Sequence, residues 1–342
     1  MIVISDALQS PIPSGINRDV VLKWLLDQWL EPVNHSIPIW KFVLMYYCLT
    51  LFSATVAFTV HFTWLKGETI FLLNSALQVE RNVKSKGTDT VHLYYAWFVV
   101  LSKITVILMP AACTAIAIVR PCMPPAWSSV IYLKCESWDD DGNSGIIFRI
   151  CGALPYYYLG MSLASTTVFV FTVVLIYPAE VKLILLESIN RDLCRRWQNA
   201  VPCLHTYRTL QMLGDMHNSV FRHPIMAILI GAVTVCASFA LYILITSTSV
   251  APIPIIIILS LVALDLFIMV VGPFKFMANP LPKSTELLQS FKRMNRSRWI
   301  KRFVRSCPPS KLLLGDGKFF DRATSLVICR KSADLVITFL LM

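Results

Sequence analysis

Five stretches of this chain are each long enough and apolar enough to cross a lipid bilayer, which leaves few folds open to it. They cover residues 42–65, 92–119, 147–177, 225–246 and 253–274, and a weaker sixth covers 324–342. A hydrocarbon core roughly 30 Å thick needs about 20 apolar residues in a helix. Each span must be helical, because an open strand would leave its amides unpaired in lipid. The expected fold class is therefore all-α: a polytopic transmembrane helical bundle with six spans. Composition agrees. Of 342 residues, 56% are hydrophobic and 15% charged, against about 25% charged in a typical soluble domain. The mean hydropathy is +0.63. A soluble enzyme is excluded on these grounds.

Charge patterning gives the orientation. The net charge is +11, and twelve of the 31 Lys and Arg lie between Lys275 and Arg322. Connection 66–91 carries four basic residues and connection 178–224 carries six. Between them, 120–146 has only Arg120 and Lys134, and 247–252 has none. The basic connections are expected on the cytoplasmic side, so span 42–65 runs inward and residues 1–41 begin outside, with a sequon at Asn34. No zinc spacing, RNA-binding aromatic motif or phosphate loop accompanies the positive charge, so nucleic acid is not an expected partner. The lipid bilayer is.

Segment 284–306 differs in kind. Leu288, Phe291, Trp299 and Phe303 recur at helical spacing, basic residues fill the other face, and Pro308 and Pro309 stop it. This reads as a basic amphipathic helix, lying on anionic lipid or docked against the ends of other helices. The expected organisation is an N-terminal segment (1–41), a five-span bundle (42–274), a basic anchor segment (275–323) and a last span (324–342).

Three stretches together resemble the arthropod chemoreceptor superfamily, the seven-span insect gustatory and odorant receptors. They are Glu68–Asn74 with Leu77–Arg81, then Thr206–Leu213, and then Trp299–Cys307 followed by Leu312–Arg322. The resemblance covers most of 42–342 in order and spacing, with loose motifs. Gustatory receptors end on a Thr-Tyr, five residues, Gln-Phe pattern; here Ala333 to Thr338 stands without it, and relative to that family one span near the N-terminus is expected to be absent. The resemblance implies a tetrameric, ligand-gated, non-selective cation channel in the plasma membrane. Such a channel opens on a small odorant or tastant and assembles from copies of itself or with other receptor subunits. A multi-span transporter and a truncated, inactive receptor are the alternatives.

Site expectations follow. Tyr46, Tyr47, Tyr156, Tyr157, Tyr158, Phe239 and Tyr242 are candidates to line a small-molecule pocket, against the plainer reading of an interfacial aromatic belt. Lys103 and Asp265 are ionisable groups within spans, where they face protein or water, and could pair. Asp334, Ile337, Thr338 and Leu341 share one face of the last span and are the expected pore lining. Cys122 is a disulfide candidate with Cys135, and Cys151 is the rival partner. His205, His217 and His223 read as solvated loop histidines at no metal-ligand spacing. No catalytic motif, metal or cofactor is expected.

Overall fold

The computed structural model describes residues 39–83, 89–123, 144–195, 200–222, 224–246, 253–293, 298–315 and 318–341, together with positions 19, 22, 23 and 26. Thirty-four of the first 41 residues, the sequon included, and the acidic connection after Met123 lie outside these. The elements are α1 (Ile39–Trp64), α2 (Lys66–Val83), α3 (Asp89–Val119), α4 (Ile146–Val168), a π-helical turn (Phe169–Ile176), α5 (Tyr177–Arg195), α6 (Ala200–Val220), α7 (Ile225–Thr246), α8 (Ile253–Val271), α9 (Pro273–Ala278), α10 (Pro280–Arg293), α11 (Arg298–Ser306), strands β1 (Leu313–Gly315) and β2 (Lys318–Phe319), and α12 (Thr324–Leu341). Helices in five places among the described residues are long and apolar enough to cross a membrane, beginning at Ile39, Tyr95, Ile146, Ile225 and Ile255. They are the five runs read from the sequence, and the chain is a multi-span helical membrane protein.

Several helices do not stop where their apolar runs stop. The helix from Ile146 to Leu193 has 48 residues, about 70 Å long, more than twice the hydrocarbon thickness. Its apolar part ends near Ile176, and the polar remainder projects past the bundle. The π-helical turn sits at that junction: the Phe169 amide is shared between the Ser165 and Thr166 carbonyls. An extra residue per turn rotates the face that α5 presents, and α5 then buries Leu185, Leu186, Ile189 and Leu193. The stretch expected as connection 178–224 is thus largely two packed helices, α5 and α6.

The basic connections gather at one end. The far ends of α1 and α6 and the start of α5 share one core cluster with α2, the start of α7 and the ribbon. The opposite ends of α1, α3, α4, α7 and α8 form a second cluster around Trp40, Met45, Tyr156 and Ile243. A third cluster at the basic end joins α5, α6, α10 and α11. Segment 284–306 therefore docks on helices. It is two helices where one was expected, and its buried face is corrected accordingly. Leu288 and Phe291 are buried as expected, but Ile300 and Val304 fill the α11 contact, while Trp299 is 56% exposed and stacks on Phe303. The reason is that the helical phase of α10 is not carried across to Arg298, so periodicity extrapolated over the join selects the wrong face.

Three hydrogen bonds tie this end together, and each involves a stretch that carries the family resemblance. Ser219 donates to Glu68 (2.8 Å), Tyr177 donates to Glu80 (2.7 Å), and Tyr207 donates to the Pro308 carbonyl (2.9 Å). The antiparallel β1–β2 ribbon, the one exception to all-helical structure among the described residues, follows. Asn218 holds the start of β1, accepting from the Leu313 amide and donating to the Lys311 carbonyl. The ribbon delivers the chain to Asp321, whose carboxylate accepts from the Ala323 amide and the Thr324 hydroxyl. That cap satisfies donors at the start of α12.

Candidate functional site

A half-open cavity of about 170 Å³ lies between α1, α3, α4 with its π-helical turn, α7 and α8. Its walls are apolar: Phe58, Phe98 and Phe171 close one side, and Met109, Val233 and Leu266 others. Three of the hydroxyls that reach it are already committed. Ser102 and Thr172 bond each other at 2.9 Å, and Thr55 donates to the Leu51 carbonyl one turn back. Asp265 of α8 lines the cavity and accepts a hydrogen bond from Thr105 of α3 at 2.9 Å. A second, apolar cavity of about 120 Å³ lies towards the end bearing Arg120 and Met123, and shares Tyr47, Leu51, Met109 and Leu163 with the first. Tyr47, buried, stands on the wall between them.

The cavity exists because α3 and α4 cross tightly beside it. A Cβ built on Gly160 would lie 2.7 Å from the Pro110 Cα, so the bare glycine face lets the two backbones touch. Helices in lipid approach through small residues in this way.

The sequence-selected aromatics separate into three groups. Tyr47 and Tyr156 line the cavities. Tyr46, Phe239 and Tyr242 surround Phe339 of α12 instead: Tyr46 stacks on Phe239 (6.5 Å), Phe239 on Phe339 (5.3 Å), and Tyr242 meets Phe339 edge-on (6.1 Å). Tyr157 and Tyr158 are half-exposed on the outside of the bundle and line neither cavity. Consecutive residues fan round a helix by about 100° each, so one of three adjacent tyrosines faces inward. What sequence reading missed were the hydroxyl residues within apolar runs (Ser102, Thr105, Thr172), whose isolation among aliphatics is the available signal.

Lys103 and Asp265 do not meet. Lys103 is exposed, two residues and therefore roughly 200° round α3 from Thr105, and Asp265 takes its bond from Thr105. Cys122 is in a disulfide and Cys151 is a free thiol, which removes Cys151 as its partner; Cys135 lies outside the described residues.

Helix α12 has two opposite faces. Ser325, Ile328, Ser332 and Val336 are buried against α7, where Ser238 donates to the Thr234 and Ser332 carbonyls. Asp334, Ile337, Thr338 and Leu341 are exposed, as are Arg330 and Lys331. Arg330 and Asp334 form a loose pair at 4.0 Å, and the remaining exposed positions, such as Leu326 and Leu340, are apolar.

At the basic end, past the apolar part of its helix, Lys182 of α5 is 2% exposed and lies 2.9 Å from Nδ1 of the fully buried His217 on α6. Burial pulls the Lys182 ammonium down to about 7, with Asp215 opposing. Burial, aided by Lys182, holds His217 well below the usual imidazole range. Glu180, on the other side of α5, is pushed up to about 8 by burial and by Glu80. The expectation of a solvated His217 is corrected: it sits inside a helix pair where a loop was expected. His205 is exposed and His223 lies outside the described residues.

No protein-family model matches the sequence, and no curated protein matches it. Among solved structures, the insect olfactory receptor OR5 from Machilis hrabei matches with a TM-score of 0.68 at 11% identity, over 97% of this chain and 86% of that one. Almost every residue differs while the path of the backbone is kept, so the likeness is one of architecture: this chain has the fold of an insect olfactory receptor.

Proposed function

We propose that the chain is a chemosensory receptor subunit of the plasma membrane, a ligand-gated, non-selective cation channel that opens when a small odorant or tastant enters the bundle. The observation that carries the reading is the outward face of α12. Asp334 lies ten residues into that helix, about 15 Å, which is half the hydrocarbon thickness. An acidic or basic side chain there costs roughly 2.5–3.5 kcal/mol against lipid. Asp334, Thr338 and the neighbouring Arg330 and Lys331 are exposed on the protomer. Water between subunits relieves that cost, and lipid does not.

Asp334, Ile337, Thr338 and Leu341 are then the pore lining of an oligomer, a tetramer by the family resemblance, of copies of this chain or with other receptor subunits. The basic end is cytoplasmic, and segment 275–323 gathers the subunits there. The apolar cavities with Tyr47 and Tyr156 receive the ligand. The aromatic group around Phe339, with Tyr46, Phe239 and Tyr242, links that region to the pore helix. The test is expression in a cell line, alone and with a second receptor subunit, and current recording against a panel of volatile and water-soluble compounds. A ligand-evoked current carried by both Na⁺ and K⁺ is expected. A protein at the cell surface that gives no current in either setting, while moving a solute across the membrane, would replace the channel with a transporter.

A further inference from the structure

The geometry points to a specific ligand class: we infer that the main cavity selects a small protonated amine on an apolar body, with the Asp265 carboxylate as its counter-charge. This rests on the reading above that the cavity is the ligand site, and it deepens that reading.

Asp265 is the only Asp, Glu, Lys, Arg or His among the described residues that line the cavity. A carboxylate in such a wall is costly unless something pairs with it. Within the protein it has one hydrogen bond, from Thr105 to Oδ2 at 2.9 Å, and Oδ1 has no hydrogen-bond partner among the described residues. Lys103, two residues from Thr105, is turned to the outside of α3 and forms no ion pair with it among the described residues. Of the other polar groups at the cavity, Ser102 and Thr172 satisfy each other and Thr55 is bonded to its own helix, while the Thr167 and Tyr47 hydroxyls are neutral and call for no counter-charge.

What the cavity lacks is one positively charged donor within reach of Oδ1, and the rest of its wall asks for hydrocarbon. Thr105 fixes the carboxylate through one oxygen and leaves the other for the ligand, so the charge is held in place before the ligand arrives. Size sets the body. A cavity of about 170 Å³ compares with the roughly 150 Å³ that accepts a benzene-sized molecule. A single ring or a branched chain of similar bulk, bearing one primary ammonium, fits both requirements. An anionic ligand would place like charge against Asp265 and is rejected.

Benzylamine, benzyl alcohol and benzoate share one body and differ in charge, which makes them the probes. Binding is measured by calorimetry on the purified full chain in lipid nanodiscs, near neutral pH, where no channel activity is required. The expected order is benzylamine at least tenfold tighter than benzyl alcohol, with benzoate weakest. Asp265→Asn should bring benzylamine level with benzyl alcohol. Equal affinity of the wild-type chain for amine and alcohol overturns the inference without any variant, so a poorly folding Asp265→Asn does not protect it. Unchanged benzylamine affinity in folded Asp265→Asn overturns it as well.

Ala232→Trp fills the cavity and should abolish binding of the ring compounds. If folded Ala232→Trp binds them unaltered, the cavity is not the ligand site and the functional reading fails with it. Flat selectivity with binding blocked by Ala232→Trp removes only the amine inference.

Discussion

Phe339, near the end of the last helix, stacks on Phe239 of α7 with ring centroids 5.3 Å apart and planes inclined by 19°. Phe239 in turn stacks on Tyr46 of α1, so a chain of three rings runs from the first described span to the last. Such ring pairs contribute about 0.5–1.5 kcal/mol beyond the area they bury. A double-mutant cycle of Phe239→Ala and Phe339→Ala, read by thermal unfolding in detergent, should return a coupling energy in that range. Additive single effects would mean the rings are neighbours without interaction.

The crossing of Gly160 over Pro110 predicts a sharp contrast between two glycines of one helix. Gly160→Ala puts a methyl 2.7 Å from backbone and should destabilise the chain by about 1–3 kcal/mol. At Gly152 a Cβ meets nothing within 4 Å, so Gly152→Ala should be neutral or stabilising by up to about 1 kcal/mol. Thermal midpoints of the two variants, compared with the parent, check this.

Tyr207 is fully buried and donates to the Pro308 carbonyl, which also accepts from Gln211 at 3.4 Å. Tyr207→Phe keeps the ring and removes one donor, so a loss of about 0.5–1.5 kcal/mol is expected. Because this bond fastens the chain after α11 to α6, the loss should appear first as faster protease cleavage between residues 293 and 311. Cleavage elsewhere at an unaltered rate is the accompanying expectation.

The buried Lys182 makes stability depend on pH with a defined sign. Its folded value is about 7 against an ordinary 10.5, so between those values the unfolded chain holds a proton that the folded chain does not. Stability therefore rises with pH across that window, by about 1.4 kcal/mol per unit for one proton. His217, held below 6.5, adds the same sign at lower pH. Glu180, raised from 4.5 to about 8, has the opposite sign up to pH 8. From pH 8 to 10 Glu180 no longer opposes, and the thermal midpoint of the parent should climb relative to that of Lys182→Met, which carries the same buried thiols. Asp215 favours the charged lysine, so Asp215→Asn should extend the Lys182 contribution to lower pH while leaving its slope per unit unchanged.

The spans were legible because an apolar run of bilayer length has few other fates, and alternation of basic and non-basic connections set which ends lie together. Glu68, Tyr207 and Cys307 belong to motifs far apart in sequence that the fold brings to one end. The rest was hidden for definite reasons. Helices such as α5 continue into water by packing against α6, which hydropathy does not see, so His217 read as solvated. A π-helical turn at Phe169–Ile176 carries no sequence mark and shifts every face after it. Extrapolating a period from Phe291 across to Trp299 failed for the same kind of reason. Asp265 stood out as a charge in a span, but its partner was Thr105 from a helix 160 positions away, and Lys103 had no part in it.

The most direct test of the central claim is which solvent reaches the outward face of α12. In a background with Cys151 and Cys329 changed to Ser, single cysteines at Thr338, Val336 and Leu340 can be treated in intact membranes with a charged, membrane-impermeant thiol reagent and with a lipid-soluble one. The account predicts that Thr338→Cys reacts with the charged reagent and that its ligand-evoked current falls by more than half. Val336→Cys, buried against α7, should stay inert, and Leu340→Cys should react with the lipid-soluble reagent alone. Labelling of Thr338→Cys by the lipid-soluble reagent alone would put Asp334 and its neighbours against hydrocarbon and contradict a pore along that helix.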